Sequence, residues 1–287
     1  MSKQAETVRK DHSRSAKSNP LPGFGITLGF TVLYLSILVL IPIAVLSFKA
    51  LSLSWRQLWD LATNARALAA YELSLGAALV AALLNAAFGS LLAWVLVRYR
   101  FPGRRLLDGL VDFPFALPTA VAGLTLANLF SDGGWLGRFL VPMGIVGQSS
   151  RLGVVLALTF VGLPFSVRTL QPLLENLDKG VEEASAILGA GRLRTFVSVI
   201  APTLLPAVLT GFGLAFARGL GEYGSIVFIS GNLQFQTEIA PTLVVSRLEE
   251  FDYPGAIGVA VVLLLFSFAL LFTLNWLQGW SSKFQQS

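Results

Sequence analysis

The sequence predicts an all-α, polytopic membrane protein with six transmembrane helices, and three observations carry that prediction. Of its 287 residues, 54% are hydrophobic and 13% charged, where a soluble domain carries about 25% charged residues. Apolar runs over 24–48, 72–97, 110–131, 152–174, 199–220 and 255–277 each exceed the roughly 20 residues that a helix needs to cross the hydrocarbon. Basic residues gather in alternate loops, as they do in membrane proteins of fixed orientation. The mean hydropathy, +0.70, agrees with this class.

Taken in order, residues 1–22 are polar and basic. They offer too little apolar surface to offset the entropy of ordering, so a disordered tail is expected. The run 24–48 is too long for a signal-peptide core of about 7–15 residues and reads as a retained span. The loop after it carries Trp55 and Trp59, which suit an amphipathic stretch at the membrane interface. Small residues crowd the second span, among them Ala77, Ala81, Ala82, Gly89 and Ala93. They permit close helix approach where lipid gives no hydrophobic drive for association.

The third span holds Pro114 and Pro118, and the fourth holds Pro164. Proline frees carbonyls that neighbouring helices or water must satisfy, so kinked helices packed inside the bundle are expected. The loop 221–254 contains "SIVFI" and "APTLVV", which are apolar but too short to cross. Partial or re-entrant segments held within protein fit them. Residues 23–280 are thus expected to form one transmembrane domain, followed by a short tail over 281–287.

Charge placement sets the orientation. Lys3, Arg9, Lys10, Arg14, Lys17, Arg98, Arg100, Arg104, Arg105, Lys179, Arg192, Arg194 and Lys283 fall on one side. Lys49, Arg56, Arg66, Arg138, Arg151 and Arg247 fall on the other. The richer side is expected to be cytoplasmic, with both termini there. Glu238, Glu249, Glu250 and Asp252 in the fifth loop agree with a non-cytoplasmic face.

Several kinds of chemistry are excluded. The chain has no cysteine, and its single histidine, His12, lies in the polar tail. Thiolate sites, disulfides, a cysteine nucleophile and an HExxH site therefore cannot form. No G-x-x-x-x-G-K-[ST] occurs, so no P-loop binds nucleotide here. "GLGEYG" (219–224) follows a membrane span, not a strand that opens a βαβ unit, and is no dinucleotide fingerprint. The net charge of +5 is accounted for by loop placement and implies no nucleic-acid partner.

One polar segment, 179–202, separates the fourth and fifth spans. Asp178 is placed to cap a helix beginning at Lys179, with Glu182 and Glu183 in its early turns, where the dipole favours acids. Val181, Ala184, Ile187 and Leu188 share a face at helical spacing. Gly189 is expected to end the helix left-handed, Gly191 to allow a second bend, and a new helix to start near Arg192. An apolar face with acidic edges suits a partner's groove. A helix lying on anionic lipid would carry lysine and arginine instead.

The segment resembles the E-A-A-x-x-x-G loop of ATP-binding-cassette importer permeases. Glu183, Ala184, Gly189 and the trailing Pro202 match; Ser185 stands where the family has a second alanine, and Val199 and Ala201 replace its usual Ile and Leu. "YRFPGRRLLDGLVDFPFALPTAVAGLTL" (99–126) is similar to the molybdate/sulfate branch of that family. "FARGLGEYGSIVFISGN" (216–232) and "TEIAPTLVVSRLEEFDYPGA" (237–256) are similar to the T-type permeases of sulfate/thiosulfate importers.

The resemblance implies a type I importer (MetI-like) permease fold in a bacterial inner membrane. It implies a second, W-type permease, two ATPase subunits that hold ATP and Mg, a periplasmic sulfate-binding protein, and no cofactor or catalysis on this chain. It also makes Glu182, Glu183, Ala184, Ser185, Ala186, Ile187, Leu188 and Gly189 the expected contact with the ATPase.

A conduit for a hydrated dianion needs hydroxyls, amides and modest positive potential. Asn85, Thr119, Thr125, Asn128, Ser166, Arg168 and Arg218 are candidates, with Phe113 and Phe115 as a gate beside the proline kinks. Arg218 and Glu222 stand four apart and are placed to pair with each other. Asn85 and Asn128 are also placed to bond between helices. The alternative is an ion-coupled secondary transporter of an oxyanion, which needs buried acids as relays and internal repeats. Asp108, Asp112 and Glu222 lie at or near span ends, and no repeat is visible.

Overall fold

The computed structural model describes residues 23–284. The predicted tail over 1–22 lies outside the described residues, as do the last three positions, 285–287. The chain divides into two units, at residues 51 and 52. The first holds α1 (Phe24–Leu51), a 28-residue helix with Pro42 inside it, long and apolar enough to cross a membrane.

The second unit is also helical. In order it holds α2 (Trp55–Ala62), α3 (Ala65–Arg98), α4 (Arg104–Val111), α5 (Phe113–Ala116), α6 (Thr119–Phe130), α7 (Gly137–Leu140) and α8 (Arg151–Glu175). Then follow α9 (Lys179–Ile187), α10 (Arg192–Thr195), a π-helical turn (Phe196–Ile200), α11 (Ala201–Leu220), α12 (Gly224–Ser230), α13 (Ala240–Glu249) and α14 (Tyr253–Phe284). Among the described residues, five helices are long and apolar enough to cross: α1, α3, α8, the run Arg192–Leu220 and α14.

The all-helical architecture agrees with the sequence. The predicted third span, 110–131, takes a different form. It is broken into α4, α5 and α6, and its longest continuous piece is the 12-residue α6. The breaks follow backbone chemistry. Leu117 precedes Pro118 and is extended, with ψ 135°, because the proline ring excludes the helical region from the residue before it. Pro114 lies in the first turn of α5, where a missing N–H costs nothing.

The centre of the bundle is the mutual packing of α3, α8 and α11. Small residues bring these helices close, as expected of the second span. At Gly89 a Cβ would sit 2.7 Å from the Ser166 Cβ, and at Gly162 one would sit 2.3 Å from Asn85 Nδ2. The larger side chains Leu96, Val167, Leu170, Leu174 and Ile200 fill the interior toward the α9 end. Ala77, Ala81, Val154, Ile226 and Ile229 fill the other.

The short apolar pieces of the fifth loop are α12 and α13. Ile226 and Ile229 of α12 and Leu243 of α13 are fully buried, so both pieces are held against protein. α2 forms where Trp55 and Trp59 predicted an interfacial stretch. Ser54 and Gln57 make a capping box at its start, and both tryptophans are exposed.

Candidate functional site

Asp178 starts α9 as expected: its Oδ1 accepts from the Gly180 N–H at 2.8 Å. Gly189 ends it with φ +78°, a left-handed conformation that a Cβ would strain. Gly191 is extended and precedes α10. The apolar residues expected on one face are all open to solvent. Ile187 is 85% and Leu188 86% exposed, and Val181, Glu183, Ala184, Ala186 and Gly189 are exposed too. Ser185 is half-buried, and its hydroxyl donates back to the Val181 carbonyl at 2.8 Å. Two adjacent large aliphatic side chains are thus left open at the end of α9.

Glu182, expected at an acidic edge of the helix, faces the bundle. It forms a salt bridge with Arg98, the last residue of α3. Arg98 also lies over the Trp94 ring, 5.2 Å from its centroid. Trp94 meets Phe196 edge-on at 5.6 Å. A shallow cavity between these groups is lined by Trp94, Arg98, Tyr99, Glu182 and Glu183. In the sequence, Arg98 signals only orientation. Its partner is 84 positions away, beyond the reach of any local pattern.

The polar residues proposed for a conduit separate into three groups. Asn85 and Ser166 are 1% exposed and lie at the crossing of α3 and α8, Asn85 beside Gly162 and Ser166 beside Gly89. Neither Asn85 polar atom nor the Ser166 hydroxyl has a hydrogen-bond partner. The expected bond from Asn85 to a neighbouring helix is therefore not made. Gly162 leaves room for the amide, so close packing, not a hydrogen bond, accounts for its place at the crossing.

Arg168 uses all five N–H groups. It donates to both carboxylate oxygens of Asp112 at 2.8 and 2.6 Å, to Asp108 Oδ1 at 2.6 Å, to the Asp108 carbonyl at 2.8 Å and to Gln171. It thus locks the broken α4–α5 segment onto α8 instead of standing free for an anion. Asp108 lies outside the crossing helices. The Gln171 amide and the Arg168 guanidinium hold its carboxyl below the usual range, because both stabilise the charged form.

The third group lies where α6, α11 and α12 meet. Arg218 pairs with Glu222 at 2.7 Å, four residues on, as the spacing predicted. Glu222 is 1% exposed. Its Oε1 accepts from the Ser225 N–H at 3.0 Å and the Ser225 hydroxyl at 2.9 Å, which holds the first turn of α12. A Cβ on Gly224 would meet Thr119 Oγ1 at 2.2 Å, and one on Gly123 would meet the Ser225 carbonyl oxygen at 2.2 Å. Thr119 is half-buried at this contact, and Thr125 and Asn128 are exposed on α6. The Thr125 hydroxyl bonds back to Val121. Phe113 and Phe115 are about half exposed beside the break, and Phe115 meets Phe165 edge-on at 5.2 Å.

Comparisons with known proteins agree with this architecture. Residues 85–285 match the family described as binding-protein-dependent transport system inner membrane component. The chain is 49% identical over 259 residues to the sulfate transport system permease protein CysT of Salmonella typhimurium, covering 90% of this chain and 94% of that one. It is 52% identical over 255 residues to the CysT protein of Synechococcus elongatus, covering 89% and 92%. A solved bacterial alginate ABC transporter, in complex with an alginate pentasaccharide-bound periplasmic protein, contains a chain of the same fold. The TM-score is 0.72 at 16% identity, covering 88% of this chain and 92% of that one. A helical bundle with a broken third span, an open α9 and sequence relatives along nearly its whole length place this chain in the binding-protein-dependent inner-membrane transport family, in its CysT group.

Proposed function

We propose that this chain is the permease subunit of an ATP-driven importer for sulfate or thiosulfate, and that α9 is its coupling helix. The observation that carries the reading is α9 itself. It exposes Ile187 and Leu188 almost fully, on a chain with no P-loop of its own. Such a helix has the form of a ligand for a groove on another subunit. The relatives that share half its residues are named sulfate transport permeases, which supplies the substrate class.

In this reading ATP and Mg bind two partner ATPase subunits, and this chain binds neither. A second, W-type permease completes the membrane pair, and a periplasmic binding protein delivers the anion. Both termini and the segment 179–202 face the cytoplasm of a bacterial inner membrane. Glu182 and Glu183 through Gly189 form the docking surface. The small side chains of Ala184, Ser185 and Ala186 let the groove close on the backbone. The anion passes the exposed face of α6, with Thr119, Thr125 and Asn128, and Phe113 and Phe115 narrow the path beside the break. Arg218 contributes positive potential tempered by Glu222, and Arg168 acts through the fold of α4 and α5. Asn85 and Ser166 line the crossing about which the helices tilt.

The ion-coupled alternative draws no support from the buried acids. Glu222 is paired with Arg218 and Glu238 with Arg66, so neither stands as an unpaired relay. Reconstitution tests the reading. Vesicles holding this chain, its partner permease and the ATPase should take up sulfate only with ATP inside and loaded binding protein outside. The chain alone should hydrolyse no ATP. Uptake by the chain alone, driven by a proton gradient, would reject the proposal.

A further inference from the structure

α9 is weakly held for a part that transmits force. Among its side chains described here, only Glu182 and Ser185 are partly covered. Its link to α10 runs through Gly189, at φ +78°, and Gly191, the two residues least able to carry torque. Among the described residues, Glu182–Arg98 is the only salt bridge that joins α9 to a membrane-crossing helix.

We infer that Arg98 is a positioning residue for coupling: it grips Glu182 so that displacement of α9 moves the end of α3 directly. This rests on the reading of α9 as the coupling helix. Arg98 is well placed for the task. Its side chain is 15% exposed, and its guanidinium lies over the Trp94 ring, 5.2 Å from the centroid, where the ring face attracts it. Trp94 in turn abuts Phe196, the first residue of the π-helical turn that leads into α11. Glu182, Arg98, Trp94 and Phe196 thus make one line of contact from α9 through α3 to the start of α11. The soft glycine link is bypassed.

The grip is also incomplete. Arg98 Nε is buried and has no hydrogen-bond partner, while the terminal Nη2 holds a single Glu182 oxygen. A guanidinium binds a carboxylate best with two parallel bonds. Pressing α9 toward α3 brings the second Glu182 oxygen onto the orphan donor. Docking of a partner on the outer face of α9 therefore tightens the clamp on its inner face. Lysine has no second tooth.

The test uses the complete importer in proteoliposomes and reads sulfate transported per ATP hydrolysed. Arg98→Ala is expected to lower that ratio about fivefold or more, the range of coupling between linked sites. Arg98→Lys should fall between it and the unaltered protein. The exchange Arg98→Glu with Glu182→Arg should recover most of the ratio, which a merely structural role would not predict. In parallel, Ala186→Cys is cross-linked to the ATPase. A cross-link with an unchanged ratio in Arg98→Ala overturns the relay and leaves the coupling reading standing. No cross-link in a protein that still transports overturns both. If Arg98→Ala fails to assemble, the exchange decides alone: recovery supports the relay, and a loss equal to either single variant overturns it.

Discussion

The two ends of α3 are built on opposite plans. The helix has 34 residues and spans about 50 Å. Near its first turn, Arg66 donates to both oxygens of Glu238 at 2.8 Å each, and also to Glu250. These two acids flank α13, so one guanidinium clips both ends of that helix. Ser74 accepts from the Ala240 N–H at 2.7 Å, and Thr242 accepts from the Ile239 N–H at 3.0 Å. The start of α13, which offers bare donors, is thereby satisfied within the chain. At the far end of α3, Arg98 holds one acid of a helix whose aliphatic side chains have no cover. The first end is self-sufficient. The second leaves its helix exposed, as the proposed docking of an ATPase subunit requires. Rigidity and openness are thus separated by the length of one helix.

Substitutions that measure stability should sharpen this contrast. The largest loss is expected from Glu238→Ala. It takes from Arg66, whose side chain is 13% exposed, its buried partner and leaves only the more exposed Glu250, and breaking a buried pair by removing one partner costs about 3 kcal/mol. Unfolding in mixed micelles by titration with a denaturing detergent would show it. Gly123→Ala comes next. Its Cβ would lie 2.2 Å from the Ser225 carbonyl oxygen, so α6 and α12 must part, at about 1–3 kcal/mol. Glu182→Gln should cost under about 1 kcal/mol, as exposed pairs do, because Glu182 is 36% exposed. Ile187→Ser with Leu188→Ser should change stability by no more than about 0.5 kcal/mol and yet abolish co-purification of the ATPase. A large stability loss in that variant would break the comparison.

The smallest effect concerns acid. With its carboxyl held below the ordinary value of 3.8, Asp108 contributes its full stabilisation above that value. The contribution is lost as pH falls through the lowered one. Asp108→Asn should therefore flatten the acid limb of a melting profile and leave its slope near neutral pH unchanged. The effect is modest, because the side chain is 45% exposed and solvent screens it.

What the sequence reveals is mostly what local chemistry decides. The Asp178 cap, the left-handed Gly189 and the Arg218–Glu222 pair all involve residues within a few positions of each other. Local patterns also mark the proline break, although they do not show that it divides the span into three helices. The ion pairs of Arg66, Arg98 and Arg168 escape such reading. Their partners are 172, 84 and 56 positions away, and only the packing of the bundle brings them together. Arg168 illustrates the limit. Its place in an apolar run suggests an anion contact, whereas two aspartates from a neighbouring segment already occupy it. Asn85 shows a related limit: it lies against α8 at Gly162 and still makes no interhelical bond.

The turn at Phe196–Ile200 has a consequence for phase. A π turn holds one residue more than an α turn, and each residue rotates a helix by about 100°. Deleting one residue from this turn would let it close as an ordinary α turn with the phase beyond it kept, whereas deleting one from the α-helical stretch after Ala201 would swing everything beyond it round the axis by that amount. Gly211, which now meets the Ser166 backbone, would leave that contact, and a bulkier neighbour would arrive in its place. The spacing between Ala201 and Gly211 is therefore a calibrated length, and a deletion there should be far less tolerated than one in the π turn or in the loop that precedes Arg192.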